Sequence, residues 1–520
     1  MIHEITLSVA PAIADSDAEI TKAIYGYLSL RNQKITGFQI LKRSIDARSR
    51  QVKVILQLRV YINEEQPEVL PFNAPLRQVK NAPQVVIVGA GPAGLFAALK
   101  LISLGIKPII IERGKDVRSR RRDLAAINKQ GSVNPESNYC FGEGGAGTYS
   151  DGKLYTRSTK RGNVQGILQL FHYFGAGPEV LYDAHPHIGT NKLPGIISAI
   201  RQQIEDCGGE VHFNKKLSDI IVDGDTLKAI KTADGDTFNT KAMILATGHS
   251  ARDVFHLLHS LHIAIEAKPF ALGVRIEHPQ LLIDQAQYHC TTRDPFLPPA
   301  SYSLVTQQEG KGVFSFCMCP GGIIAPAATQ PNEIVVNGWS PSRRNNAYAN
   351  SGTVVTVDEH DFAKYGFKGP LAAMQYQAMV EQQCFVAGGG NLQAPAQRMV
   401  DFVNNKSSFD LPASSYIPGL SNTLLKDVLP PAITKALQKA LPEFGKKMKT
   451  YFTNEAVLVA TESRTSSPVR IPRHAHNLQH IQIKGLYPCA EGAGYAGGII
   501  SAAIDGENCA AMAAAYIQIG

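Results

Sequence analysis

Six residues, Gly89-Ala90-Gly91-Pro92-Ala93-Gly94, carry the spacing GxGxxG, and an acid, Glu112, stands 23 residues beyond Gly89. Those residue types at that spacing suit a dinucleotide. The first glycine permits a tight turn, the second lets a pyrophosphate approach the backbone, and the third lets a helix pack closely on a strand. A helix opening at Pro92 and Ala93 would aim free N–H groups and the positive end of its dipole at the phosphates. Glu112 would accept both hydroxyls of an adenosine ribose and repel a 2′-phosphate, which favours NAD or FAD over NADP. Arg113, the next residue, is counted with the cofactor contacts.

A second stretch, SNYCFGEGGAGTYSDGK from Ser137 to Lys153, holds five glycines and one cysteine in 17 positions. Such density marks a backbone that bends sharply or approaches something closely. Cys140 is read as a small buried hydrophobe rather than a catalytic thiol. Cys317 and Cys319 stand two apart on an extended segment, so they would point the same way and offer a soft-metal site or a strained disulfide. No further Cys or His completes a metal set at usual spacing, and the segment is read as a strand-to-turn wall facing the substrate; no metal is expected. Arg275, Arg464, Arg470 and Arg473 have two readings, an anionic-substrate pocket or interdomain salt bridges. His185, His187 and His249 fall near expected cofactor edges and are read as structural.

These residues need elements to position them. VVIV from Val85 is an apolar strand running into the glycine turn, followed by a helix and a second strand that ends at Glu112. That is a βαβ unit. AMILATG sets Thr247 and Gly248 at the end of another apolar strand, where the chain turns back past the cofactor. The strand opening at Leu217 would bring its backbone to the adenine edge. Gly388-Gly389-Gly390 follows a helical stretch rather than a strand, so no separate NAD(P)H domain is expected. The basic run Arg118 to Arg122 lacks aromatic interleaving and is read as a helix surface, not a nucleic-acid site.

The fold class expected is α/β, in three parts. Residues 1–80 form a small N-terminal α/β module, a ferredoxin-like half with strand–helix–strand–strand order. Residues 84–268 and 455–520 form a discontinuous Rossmann-like FAD-binding domain. Residues 269–454, broken by Pro, Gly and Ser, form an α+β substrate domain. The stretch from Asn63 to Gln84, with its prolines and polar residues, is expected to be the linker out of the module.

At GLYPCAEGAGYAGGIISAAIDG (Gly485–Gly506) the chain resembles the flavoprotein superfamily with a glutathione-reductase-like FAD domain. The resemblance implies FAD, bound non-covalently, with Glu491 on the ribityl chain and backbone N–H groups of Gly498, Ile499 and Ile500 at the flavin. In that superfamily the segment some fifty residues past the first glycine passes the flavin and carries two cysteines. Here it holds only Cys140, so it implies a backbone cradle of Gly144, Gly145 and Gly147 and argues against a dithiol disulfide reductase. Ser150, Asp151 and Lys153 would follow toward the flavin. FGEGGAGTYSDGKLYTR, HPHIGTNKLPGII, FCMCPGGIIAP, AGGGNLQAPAQR and TESRTSSPVRIPR further resemble an uncharacterised family of FAD-dependent dehydrogenases.

At 520 residues, 44% hydrophobic and 18% charged with a net charge of +8, the chain is an ordinary globular protein, neither disordered nor strongly nucleic-acid-like. Eight scattered cysteines suit reduced thiols, and no signal peptide or membrane span is read, so a cytoplasmic protein is expected. The function expected is a dehydrogenase moving a hydride between a small-molecule substrate, an anionic one on the arginine reading, and flavin N5. No catalytic residue is assigned. NAD(P)H docking transiently, or a protein carrier at the N-terminal module, would exchange its electrons. A flavin monooxygenase and a non-catalytic FAD-binding regulatory module are the alternatives.

Overall fold

The computed structural model describes residues 1–30, 33–65, 67, 75–156 and 162–519. Part of the expected linker, residues 66 and 68–74, lies outside the described residues. Three sheets organise the chain around the site. The first is five-stranded and parallel, in the order Leu486–Pro488, Met243–Leu245, Gln84–Val88, Lys107–Ile111 and Glu210–His212. Its central strands are buried on both faces, which is why they read as unbroken Val/Ile runs rather than alternating ones.

Helices Pro92–Ser103 and Ile499–Ile519 pack against one another on that sheet, their small residues allowing close approach. Gly94 shows how tight the first turn is. A Cβ there would sit 1.9 Å from the Gly89 carbonyl oxygen, so no larger residue fits. An antiparallel three-stranded sheet (Leu217–Asp223, Thr226–Thr232, Thr237–Asn239) inserts between the strands Glu210–His212 and Met243–Leu245 in sequence.

The large mixed sheet has seven strands, with Phe270–Pro279 and Tyr348–Val357 at its centre, and helices Ala372–Ala387 and Pro431–Lys447 cover it. Strand Val457–Glu462 pairs with Phe270–Pro279 inside this sheet. The boundary expected at 455 therefore falls before the last strand of the sheet, and the chain returns toward the parallel sheet only after Glu462. The pattern misleads there because an apolar strand buried on both faces looks the same in either sheet.

The N-terminal residues form a separate three-stranded sheet, Ile2–Val9 against Lys53–Ile62 against Ile35–Asp46, with helix Asp17–Leu28. It has a core of its own, including Ile20, Ile24, Leu56 and Leu58. Arg43 ties it to the body by a two-toothed ion pair with Asp183 at 2.7 and 3.0 Å. Among the described residues no helix is long and apolar enough to cross a membrane.

Candidate functional site

One cavity opens at the carboxyl ends of the parallel strands, the place where open α/β sheets bind ligands. The residues expected at a dinucleotide line it: Gly89, Gly91, Pro92 and Ala93 from the turn, Glu112 and Arg113, Gly145 and Gly147, Leu217, Thr247, Gly248, Glu491, Gly498 and Ile499. Three expected residues do not. Gly94 and Ile500 are packed behind the wall, and Gly144 fixes the loop from behind. The Gly144 amide donates to Ala90 at 2.8 Å, and its φ of 78° leaves a Cβ 2.0 Å from Thr148 Oγ1. Their roles are in holding the cradle's shape.

Two helix N-termini, at Pro92 and at Ile499, meet this cavity, so free N–H groups and two dipoles converge on it. Glu112 departs from expectation. Its Oε2 accepts from the Ala90 amide at 2.9 Å, and Oε1 accepts from Gly114 at 2.8 Å and Gly142 at 3.0 Å. The carboxylate thus pins three loops together before any ribose arrives. About four lone-pair positions are available to it, which leaves room for a ribose hydroxyl. Arg113 is claimed by acids, donating to Glu136 and Asp253 at 2.8 Å each while stacking 4.1 Å from the Phe141 ring centroid.

The glycine-rich loop is organised by a residue that the sequence hides. Arg120, read as part of a basic surface, is fully buried, and its guanidinium donates to the carbonyls of Asn138, Tyr139 and Glu143 at 2.7–2.9 Å. Burial lowers its pKa. The helical spacing of Val117, Arg120, Leu124 and Ile127 was the available signal, since Arg120 falls on the apolar face.

Ser150, Asp151 and Lys153 line the cavity and all three are already engaged, Ser150 Oγ donating to the Gly147 carbonyl at 2.7 Å. Asp151 binds Ser340 and both donors of Arg344, and Lys153 Nζ binds the Met318 carbonyl. Burial alone would raise the Asp151 pKa; Arg344 and Lys153 more than offset it and hold it low. Through these contacts the cradle is fastened to the seven-stranded part. His249 also lines the cavity; burial, with Arg464 adding to it, takes it to about 4, so it is neutral near pH 7. Burial pushes Glu491 up to about 7, against a partial pull from Lys268, so protonated and ionised forms coexist near neutrality.

The four arginines separate from the site. None lines the cavity. Arg275 is buried on Glu462 at 2.7 Å, Arg464 on Glu333 and Glu381, and Arg473 on Asp505, while Arg470 lies over Tyr495. Three of them form salt bridges, but Arg275–Glu462 lies within the seven-stranded sheet and Arg473–Asp505 within residues 455–520, so only Arg464 matches the interdomain reading, and none of the four lines this cavity for an anionic substrate. Cys489, Asp505 and Cys509 lie within 4.8 Å of one another, but Arg473 fills their centre by bonding Asp505 and the Cys509 sulfur. Gly388–Gly390, His185 and His187 lie off the cavity.

Phe316 had no expected place at the site, whereas the Cys317 segment was read as a wall facing the substrate; both residues, on strand Lys311–Cys319, line the cofactor cavity.

A glycine turn on a parallel strand, two converging helix N-termini and a buried acid define a site for a dinucleotide cofactor. Residues 82–134 match the FAD binding domain family, residues 269–465 the FAD-dependent protein, C-terminal domain-like family, and residues 1–61 a domain of unknown function. The protein is thus a flavoprotein with FAD as its cofactor.

The chain is 40% identical to an uncharacterized protein of Clostridium beijerinckii (strain ATCC 51743 / NCIMB 8052) over 527 aligned positions, covering 97% of this chain and 96% of the other. It belongs to that protein's family, a family of FAD-binding proteins. Among solved structures, a glycine oxidase from Bacillus cereus ATCC 14579 aligns over 82% of this chain and 94% of its own, at 13% identity and a TM-score of 0.29. A triple mutant of the flavin-dependent brominase Bmp2 aligns over 84% and 80%, at 12% identity and a TM-score of 0.34. Both likenesses are too weak to carry an argument.

Proposed function

We propose that this protein is a dehydrogenase in which a small molecule exchanges a hydride with flavin N5. The parallel sheet and its glycine turn would be a Rossmann-like FAD-binding domain of the glutathione-reductase-like type. The seven-stranded part would supply the substrate side, and the cytoplasm would be its compartment. The observation that carries this reading is that Glu491, Lys153, Phe316 and Cys317 line the same cavity as Glu112 and Leu217, with Glu491 and Lys153 near enough to Cys317 to feel its charge. When bound there, FAD supplies a two-electron acceptor and donor.

The residues of the chain do the rest. The helix N-terminus at Ile499 favours negative charge on whatever it faces, and the one at Pro92 favours phosphates. Glu491, with its pKa near neutrality, can give a proton to a substrate heteroatom or take one at the cavity wall. Asp151, clamped by Arg344 and Ser340, keeps the cradle closed against the large sheet and excludes water from that side. Electrons would enter or leave through a transiently docked nicotinamide or a carrier at residues 1–62.

The test is an absorbance spectrum of the purified protein followed by anaerobic reduction with NADH, NADPH and a panel of metabolites. Flavin bands near ~450 nm that bleach with a donor are expected. Rapid reoxidation by oxygen with a hydroxylated product would replace the dehydrogenase by a monooxygenase. Failure of every donor would leave a binding module.

A further inference from the structure

Strand Lys311–Cys319 reaches the cavity in an irregular way. Its pairing with Tyr348–Val357 shifts register between Phe316 and Cys319, and Cys317 takes a left-handed φ of 46°. A bulge leaves its extra residue unpaired and re-aims the side chain, and a non-glycine residue stays in that conformation only where its surroundings hold it. Here they do. Arg275 Nη2 donates to the Cys317 carbonyl at 2.8 Å and reaches the Cys319 sulfur at 3.5 Å, while Lys153 holds the carbonyl between them.

The consequence is a paired thiol site. Both cysteines are free, Cys317 lines the cofactor cavity, Cys319 is buried, and the Cys319 thiol donates to the Cys317 carbonyl at 3.3 Å. The neighbouring Cys319 thiol, then Lys153 and Arg275, keep the Cys317 thiol below the ordinary thiol range against the effect of burial. The Cys317 sulfur beside it and burial push the Cys319 thiol up. A thiolate facing a cofactor with a protonated thiol beside it is what thiol–disulfide chemistry requires. Cys140, on the opposite wall, has no second cysteine beside it in the sequence.

We propose that Cys317 and Cys319 form a second two-electron centre of the FAD site, a dithiol/disulfide pair that exchanges an electron pair with the flavin. The inference rests on the oxidoreductase reading above and replaces the expectation, drawn from Cys140 alone, that no dithiol takes part. The step balances. An S–S bond forms between Cys317 thiolate and Cys319, the S–H bond of Cys319 breaks, and the pair of electrons with that one proton passes to oxidised flavin, leaving it reduced and anionic. The reverse step reopens the disulfide. Two residues joined through one intervening residue close a small, strained ring, which makes such a bond easily reduced.

The test counts electrons and sulfurs separately in the FAD-loaded protein. After mild oxidation with diamide and its removal, anaerobic titration with dithionite is expected to consume about two two-electron equivalents per FAD, against about one in Cys317→Ser and in Cys319→Ser. Mass spectrometry of the alkylated wild-type protein is expected to find the peptide holding Cys317 and Cys319 unlabelled before reduction and doubly labelled after it. This second readout does not depend on either variant folding. Uptake of one equivalent by wild type, or a disulfide that persists when the flavin is fully reduced, overturns the proposal. A substrate that bleaches the flavin while both sulfurs remain alkylatable throughout defeats the dithiol alone. A protein that no donor reduces, yet whose diamide-formed disulfide reopens with dithionite-reduced flavin, defeats only the dehydrogenase reading.

Discussion

At the scale of single residues, burial and its compensation decide the chemistry. Glu112 and Glu491 are both acids at one cavity, yet Glu112 is anchored by three backbone amides while Glu491 has its pKa raised by desolvation. The sign of the stability effect follows. A folded pKa raised to about 7 means the folded state binds more protons than the unfolded one between the ordinary carboxyl range and neutrality. The cofactor-free protein should therefore lose stability as pH rises through that window, and level off above it. In Glu491→Gln this part of the slope should vanish, flattening the wild-type decline by about 2 kcal/mol in denaturant titrations run from pH 5 to pH 8. Glu491 was reached through a family resemblance, since nothing local in its neighbours specifies an acid. Its protonation came only from the burial that the fold imposes.

At the scale of elements, the strand–turn–helix unit at Gly89 was legible because all its constraints are local. The strand, the turn and the helix start lie within a few residues, and the spacing of glycines records backbone contacts directly. Gly94→Ala should test this. With a Cβ 1.9 Å from a backbone oxygen, helix and strand must part, and we expect a loss of about 2–4 kcal/mol in unfolding free energy together with weakened FAD retention on gel filtration. The helix Val117–Gln130 was less legible. Its arginines looked like a surface, and what separates Arg120 from Arg121 and Arg122 is a face of the helix packed under a loop. Three loop carbonyls with no secondary-structure partner needed a donor, and the buried guanidinium supplies it.

Across the whole molecule, the site depends on how two large sheets are held together. Arg252, from the FAD-binding side, and Arg464 share Glu381 and Glu333 on the other, at 2.6–3.0 Å. Glu381 is fully buried, and Arg252 and Arg464 overcome the effect of burial to hold its carboxyl at about 2. Glu381→Gln leaves two buried guanidiniums short of charge, and about 3–5 kcal/mol of stability should be lost by chemical denaturation. Because the folded pKa is lowered, the wild-type advantage should be present above the ordinary carboxyl range and decline as pH falls toward 2. The N-terminal sheet behaves differently. Its core is separate, and Arg43 and its neighbours make the contacts that join it to Asp183 and Tyr182. A chain lacking residues 1–62 is expected to keep its flavin absorbance; loss of flavin would show that this sheet shapes the cavity.

The sequence by itself determined the dinucleotide turn, the acid after it and the existence of a glycine cradle, because each is written in short-range spacing that backbone geometry enforces. It marked the Cys317 segment as a wall facing the substrate but could not bring that wall to the cofactor. Phe316 and Cys317 stand more than 200 positions beyond Gly89 and meet it only because the seven-stranded sheet is pinned across the cradle through Asp151, Arg344 and Lys153. The fate of the arginines was likewise open until the acids opposite them were placed. Pairing of charges between distant segments, and the burial that sets their proton affinity, are properties of packing, and packing exists only in the tertiary structure.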